Sequence, residues 1–199
     1  MVAALAAITL CPLVIVFSPG LRAAVAIYAA AVIALFLVSG TYHTMLWGTR
    51  AEGLARRVDH AMIFVFIAAT YTPIAVSSLP RTAATVVLTV VWVGAAMGVA
   101  TQLTRRSLPR WLTVLLYVIV GWAITPVVHL MWGALGAAGF VLLITGGVLH
   151  TVGAVVYAAE RPNPFPTWFG FHEIFHLLVI GAVAAHYVVI AFVISPSSA

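Results

Sequence analysis

Phe171-His172-Glu173-Ile174-Phe175-His176 places two histidines four residues apart at the start of a long apolar run. On a helix, residues at this spacing are about 40° apart around the axis and about 6 Å apart along it. Both imidazoles therefore share one face and can reach a common metal ion. The run continues without a charge to Ile194, about 35 Å of helix and enough to cross a bilayer. Two further apolar runs carry polar groups at comparable positions: Ser39 and His43 one turn apart near the end of one, and Asp59 at the start of the next. Polar and ionisable side chains at membrane depth are expensive and mark functional sites by default.

The elements that must position these residues follow from composition. The 199-residue chain is 64% hydrophobic and only 7% charged, with a mean hydropathy of +1.19. That balance excludes a soluble globular domain and predicts an all-α, multi-pass membrane protein with one domain over residues 1–199. Seven apolar runs can be marked: Val2–Phe17, Arg22–Trp47, Val58–Leu79, Thr82–Leu103, Trp111–Trp132, Ala134–Ala159 and Phe171–Ile194. The first is short, holds Pro12 and is closed by Ser18-Pro19-Gly20, and Pro73 is expected to bend the third. With no basic segment before it, the first run reads as a membrane helix rather than a cleaved leader. Glycines inside the runs, such as Gly98 and Gly146, would let helices approach closely.

All nine basic residues are arginine. Arg50, Arg56, Arg57, Arg105, Arg106, Arg110 and Arg161 fall in the loops after the second, fourth and sixth runs, leaving only Arg22 and Arg81 on the opposite side. This asymmetry predicts a cytoplasmic N-terminus, an external C-terminus and a location in the plasma membrane. The net charge of +5 is accounted for by topology and anionic lipid, so membrane lipids and not nucleic acid are the expected partners. Cys11 is the only cysteine, which excludes an intramolecular disulfide. Nothing in the sequence sets an oligomeric state. In this topology Ser39, His43, Asp59, His172 and His176 all arrive at the cytoplasmic leaflet at similar height, whereas chance placement would scatter them between both ends.

At this point the motifs resemble those of the hemolysin III family, the bacterial branch of the progestin and adipoQ receptor group. The resemblance is carried by Ser39-Gly40-Thr41-Tyr42-His43, Arg57-Val58-Asp59-His60 and Ala69-Thr70-Tyr71-Thr72-Pro73. It continues in Tyr117-Val118-Ile119-Val120-Gly121-Trp122, in Gly146-Gly147-Val148-Leu149-His150-Thr151-Val152-Gly153, and in the closing His172–His176 segment with His186. It implies a seven-helix bundle with zinc near the cytoplasmic face, held by His43, His172 and His176, with Asp59 holding a water near the metal and Ser39 close by. The wider superfamily, which includes alkaline ceramidases, implies hydrolysis of a lipid amide bond, while bacterial members are associated with haemolysis and with membrane fluidity. Family members carry an amphipathic stretch with an acidic residue and a histidine before the first helix. This chain starts at Met1 almost inside that helix, so no role for the stretch is carried over.

Three imidazoles and one water form the open tetrahedral arrangement of catalytic rather than structural zinc. Asp59 would then orient that water and take its proton, and Ser39 would donate a hydrogen bond to an oxyanion. The plainer reading is histidines bonded to neighbouring helices or reaching for the interface. His172-Glu173-Ile174-Phe175-His176 also satisfies the metalloprotease pattern HExxH, in which Glu173 would be the base; the alternative is a glutamate facing the interface. His186, about 15 Å further along the helix than His176, is too distant to join the same ion, and with mid-segment His150 it reads either as an internal polar bond or as a lining residue. His129 and His60 read as interfacial or supporting residues, and Trp47, Trp111, Trp132 and Trp168 as interfacial anchors. Arg56 and Arg57 read as topology and headgroup residues. Pro162-Asn163-Pro164-Phe165-Pro166 either ends the sixth segment or positions the seventh. Two functions stay in view: a zinc-dependent membrane hydrolase, and a sensor, receptor or pore in which zinc is structural.

Overall fold

The computed structural model describes residues 2–16, 19–104, 108–165 and 167–194. Seven α-helices occur among them: α1 (Val2–Val16), α2 (Arg22–Thr44), α3 (Thr49–Ser78), α4 (Arg81–Leu103), α5 (Arg110–Gly121), α6 (Trp132–Ala159) and α7 (Phe171–Val188). Short 3₁₀ segments cover Pro19–Leu21 and Thr125–Met131, and a π segment, Val189–Ile194, prolongs α7. The described residues contain no β-sheet, only one isolated bridge between Phe165 and Phe169. Met1, Phe17, Ser18, Arg105, Arg106 and Pro166, all used in the sequence reading, lie outside the described residues.

Five helical stretches are long and apolar enough to cross a membrane: Arg22–Thr44, Thr49–Ser78, Arg81–Leu103, Arg110–Ala159 and Phe171–Ile194. The fourth is 50 residues long and holds α5, the 3₁₀ segment and α6; α1, at 15 residues, falls short of the usual spanning length.

Burial along α4 shows what solvent these helices are built for. Its inward stripe is Ala84, Val87, Val91, Ala95 and Gly98, and its outward stripe is Val86, Val90, Val93 and Met97, each more than half exposed. Both faces are apolar, so the outward one has no place in water and suits hydrocarbon. The faces differ in size rather than polarity. Small residues face the neighbour and large ones face out, because without a hydrophobic force between helices in lipid, close packing is what holds them together.

Helix α3 occupies the centre. It packs against α2, α4, α5, α6 and the π segment after α7, and 61% of its apolar window is buried, against 39% or less in the other four stretches. It runs through Pro73 without interruption, with Thr70 and Thr72 donating their hydroxyls to the carbonyls of Phe66 and Ala68. Two boundaries differ from the sequence reading. First, α3 begins at Thr49 rather than Val58, so Arg50, Arg56 and Arg57 lie on helix and not in a loop. Ala51, Leu54 and Ala55 favour helix, and Glu52 in the first turn complements the helix dipole, so the α3 helix extends past its apolar part. Second, the fifth run is not one helix to Trp132. α5 stops at Gly121 and continues as a 3₁₀ segment, since Pro126 has no N–H to offer the preceding turn. Tyr71 of α3 fills this break, donating its hydroxyl to the Gly121 carbonyl at 2.6 Å and accepting from the Ile124 N–H at 3.3 Å.

Helices α3 and α4 approach each other closely at Gly98. A Cβ added at Gly98 would overlap the ring of Phe64, which is itself fully buried and packed on Tyr117 at 4.4 Å between ring centroids. Gly98→Ala is expected to destabilise the protein by about 1–3 kcal/mol through overpacking, with Phe64→Leu restoring part of the loss in the double variant. Thermal unfolding in detergent of the single and double variants checks this.

Candidate metal centre

Three helices deliver the site. The last turn of α2 carries His43, with Ser39 one turn earlier on the same face. Asp59 and His60 lie on α3, and His172 and His176 on the first two turns of α7. The imidazoles converge: His172 Nε2 lies 3.3 Å from His43 Nε2 and 3.0 Å from His176 Nε2, and one ligand nitrogen from each ring falls within 4.8 Å of the other two. For a tetrahedral ion bound to imidazole nitrogens at 2.0–2.1 Å, ligand nitrogens are about 3.3 Å apart. The nitrogen spacing and the all-imidazole donor set therefore fit a zinc-like divalent cation. Ser39 and Asp59 line the same cavity as the triad, and the Asp59 carboxylate is close enough to interact electrostatically with both His43 and Ser39.

The position of α7 depends on how its first turn is capped. Glu160, at the end of α6, adopts a left-handed conformation (φ 53°, ψ 33°) that turns the chain out of the helix, and its carboxylate pairs with Arg110 at the start of α5. Asn163 then ties the loop together, donating to the Glu160 carbonyl at 2.9 Å and accepting from the Phe171 N–H at 3.0 Å. Glu173 reaches back to accept from the Gly170 N–H at 2.8 Å. This is one half of a capping box, and it settles how Glu173 is used. In this structure its carboxylate serves the helix N-terminus and is not among the groups converging on the imidazoles. The loop positions the seventh helix as well as ending the sixth.

The cluster opens into a cavity of about 930 Å³ whose lining includes Ser39, His43, Asp59, His172 and His176 and continues to His150 and His186. His43 is exposed and its two partners are half-buried. Arg56, Arg57 and Arg110 line the same cavity. His60 is a supporting residue: its ring meets the Tyr157 hydroxyl at 3.3 Å and its carbonyl accepts from Tyr117 at 2.9 Å. Tyr157 was not singled out from sequence, yet its ring lies 6.1 Å from that of His172 and beneath the Arg110 guanidinium at 5.1 Å. The signal was present in the spacing, since Gly146, His150, Gly153 and Tyr157 recur at helical intervals on one face of α6. His129 is exposed on the 3₁₀ segment and does not join the cluster. His150 and His186 meet each other, at 5.7 Å between ring centroids, rather than the triad. Trp111, Trp132 and Trp168 are more than half exposed, as interfacial anchors would be.

Fold and site together define a multi-pass helical membrane protein with a histidine triad at one end of its bundle. Comparison with known proteins agrees. The family model described as "Haemolysin-III related" matches residues 1–187. The chain is 30% identical over 166 residues to the hemolysin-3 homolog of Bacillus subtilis strain 168, covering 83% of this chain and 75% of that protein. It is 30% identical over 174 residues to hemolysin-3 of Bacillus cereus, covering 86% and 75%. It is also 27% identical over 165 residues to the human monocyte to macrophage differentiation factor, covering 81% and 66%. The chain belongs to the haemolysin-III related family.

The different uses of Glu173 and the histidines can be separated. Glu173→Ala is expected to cost about 1 kcal/mol through the lost cap and to leave bound metal unchanged. His172→Ala and His176→Ala are expected to abolish metal binding. Elemental analysis and thermal unfolding of the three purified variants check both halves.

Proposed function

We propose that this protein is a zinc-dependent hydrolase of the plasma membrane acting on an amide or acyl bond of a lipid, with a role in membrane lipid homeostasis. The single observation that carries the reading is the convergence of three imidazoles in a large cavity that Asp59 and Ser39 also line. In this reading all seven helices cross the bilayer, with the N-terminus cytoplasmic and the C-terminus outside. Supporting the fifth crossing, α5 and its 3₁₀ continuation add up to about 35 Å. The excess of arginine at the triad's end supports the orientation.

His43, His172 and His176 would hold the zinc, leaving a position that no fourth protein ligand takes. Zinc so held supplies Lewis acidity and makes water nucleophilic near neutral pH. Asp59 accepts the proton released as the water attacks and returns it to the leaving amine or alcohol. The Ser39 hydroxyl, close to that carboxylate, would orient it as a base rather than face an oxyanion directly. His60 and Tyr157 form the wall behind His172, and the cavity admits the acyl chain. A purely structural zinc, as the sensor or pore reading requires, would use neither an open position nor a neighbouring carboxylate–hydroxyl pair.

Purified protein is expected to contain about one zinc per chain and to release fatty acid from a ceramide or another acyl lipid, followed by mass spectrometry. Asp59→Asn is expected to keep the zinc and lose about 10²- to 10⁴-fold in turnover. Full zinc occupancy with no turnover across a panel of ceramides, acyl amides and phospholipids would sink the hydrolase.

A further inference from the structure

The 930 Å³ cavity has a polar floor for which hydrolysis at the triad has no use. His150 of α6 and His186 of α7 both line it, with ring centroids 5.7 Å apart and a tilt of 44°. His186 is 8% exposed, and its ring lies against Gly146, where an added Cβ would overlap the imidazole. Among the described residues, two enclosed atoms here have no hydrogen-bond partner: His150 Nε2 and His186 Nδ1. Their polar neighbours are committed. Thr70 donates to the Phe66 carbonyl, Tyr71 to the Gly121 carbonyl and Thr151 to the Gly147 carbonyl, while Trp122 donates to Thr151. Enclosed polar atoms without partners are costly, about 1–3 kcal/mol each, so a native structure that keeps two of them adjacent calls for a ligand.

The hydrogen bonds already made define what that ligand must offer. His186 Nε2 lies 3.2 Å from the Leu143 carbonyl. A carbonyl only accepts, so Nε2 carries the hydrogen and Nδ1 of the neutral ring presents a lone pair. The matching group must donate to Nδ1, and a single atom that can both donate and accept serves His150 Nε2 in either tautomer. A carboxylate cannot donate, and an ammonium would bury a charge with no counter-charge beside it; a neutral hydroxyl donates and accepts. The pair lies about 15 Å along α7 from His176, a distance that the chain of a lipid held at the triad would cover.

We infer that His150 and His186 form a hydroxyl-binding subsite that selects lipids bearing an O–H on the chain, well below the bond held at the triad. This rests on the reading of the cavity as a lipid site, and it does not require turnover. The same O–H chemistry could be supplied by a buried water, since the adjoining cavity of about 60 Å³ beside His186 has room for several.

The test compares lauroyl ethanolamide with omega-hydroxylauroyl ethanolamide, whose extended chain matches the drop between triad and floor. Affinities are measured on the zinc-loaded full chain in detergent, in an Asp59→Asn background so that neither ligand is consumed. The hydroxylated ligand is expected to bind about tenfold tighter. That preference is expected to fall to about one in His186→Phe and in His150→Phe. Gly146→Ala, which displaces the imidazole without removing it, is expected to reduce it similarly. Zinc content is expected to stay at its starting level in all three, which separates loss of the subsite from loss of the fold or the metal centre. Equal affinity for the two ligands, or a preference that survives both histidine replacements, would mean that the nitrogens hold water only and would overturn the subsite. Absence of hydrolysis in the wild type would count against the hydrolase reading alone.

Discussion

An unpartnered polar group in hydrocarbon costs several kcal/mol, and most of this molecule can be traced to avoiding that cost. The backbone avoids it by being helical wherever it is long and apolar. Where the helix breaks after Gly121, a side chain takes over: the Tyr71 hydroxyl serves the Gly121 carbonyl and the Ile124 N–H in the same gap. Threonines along α3 and α6 return their hydroxyls to their own helix one turn back. Polar side chains with nothing to serve locally are gathered inside, where they can serve each other.

This constraint gives the histidines their arrangement. Six of them line one cavity, and five of these, all but His60, divide into two groups of different chemistry. His43, His172 and His176 direct ring nitrogens at one another at 3.0–3.3 Å, an arrangement that imidazoles favour when a cation can lie between them. His150 and His186 meet each other rather than the triad, and one of them is already pledged to a carbonyl. The first group therefore suits a metal and the second a small hydroxyl, although the residue type is the same. Charge follows the same division. Asp59, Glu173 and the arginines line the cavity together with the triad, whereas the contacts of His150 and His186 among the described residues are with Phe66, Leu143 and each other.

Capping connects the loop to the site. Asn163 and Glu173 between them occupy the N–H groups of Gly170 and Phe171, and they fix where α7 begins and how it is rotated. His172 and His176 lie within the first two turns, so a small change in that entry would rotate both imidazoles away from His43. The HExxH spacing thus arises from a helix start that happens to carry a histidine at each side of its capping glutamate.

Much was determined by the sequence alone. Low charge and long apolar runs can be stabilised only as membrane helices, and histidines at helical spacing must share a face, so the class of fold and the shared face of His172 and His176 could be read directly. Motif order was enough to indicate the family. Partner choice was decided only by tertiary structure, because it depends on distances between elements far apart in the chain. Glu173 could serve a metal or a helix end, and only the 2.8 Å contact with the Gly170 N–H decides between them. Ser39 could face an oxyanion or a carboxylate, and the approach of α2 to α3 brings it to Asp59. The meeting of His150 with His186 and the place of Tyr157 behind His172 were likewise undetermined, since one-dimensional spacing gives the face of a helix but not which neighbour that face meets.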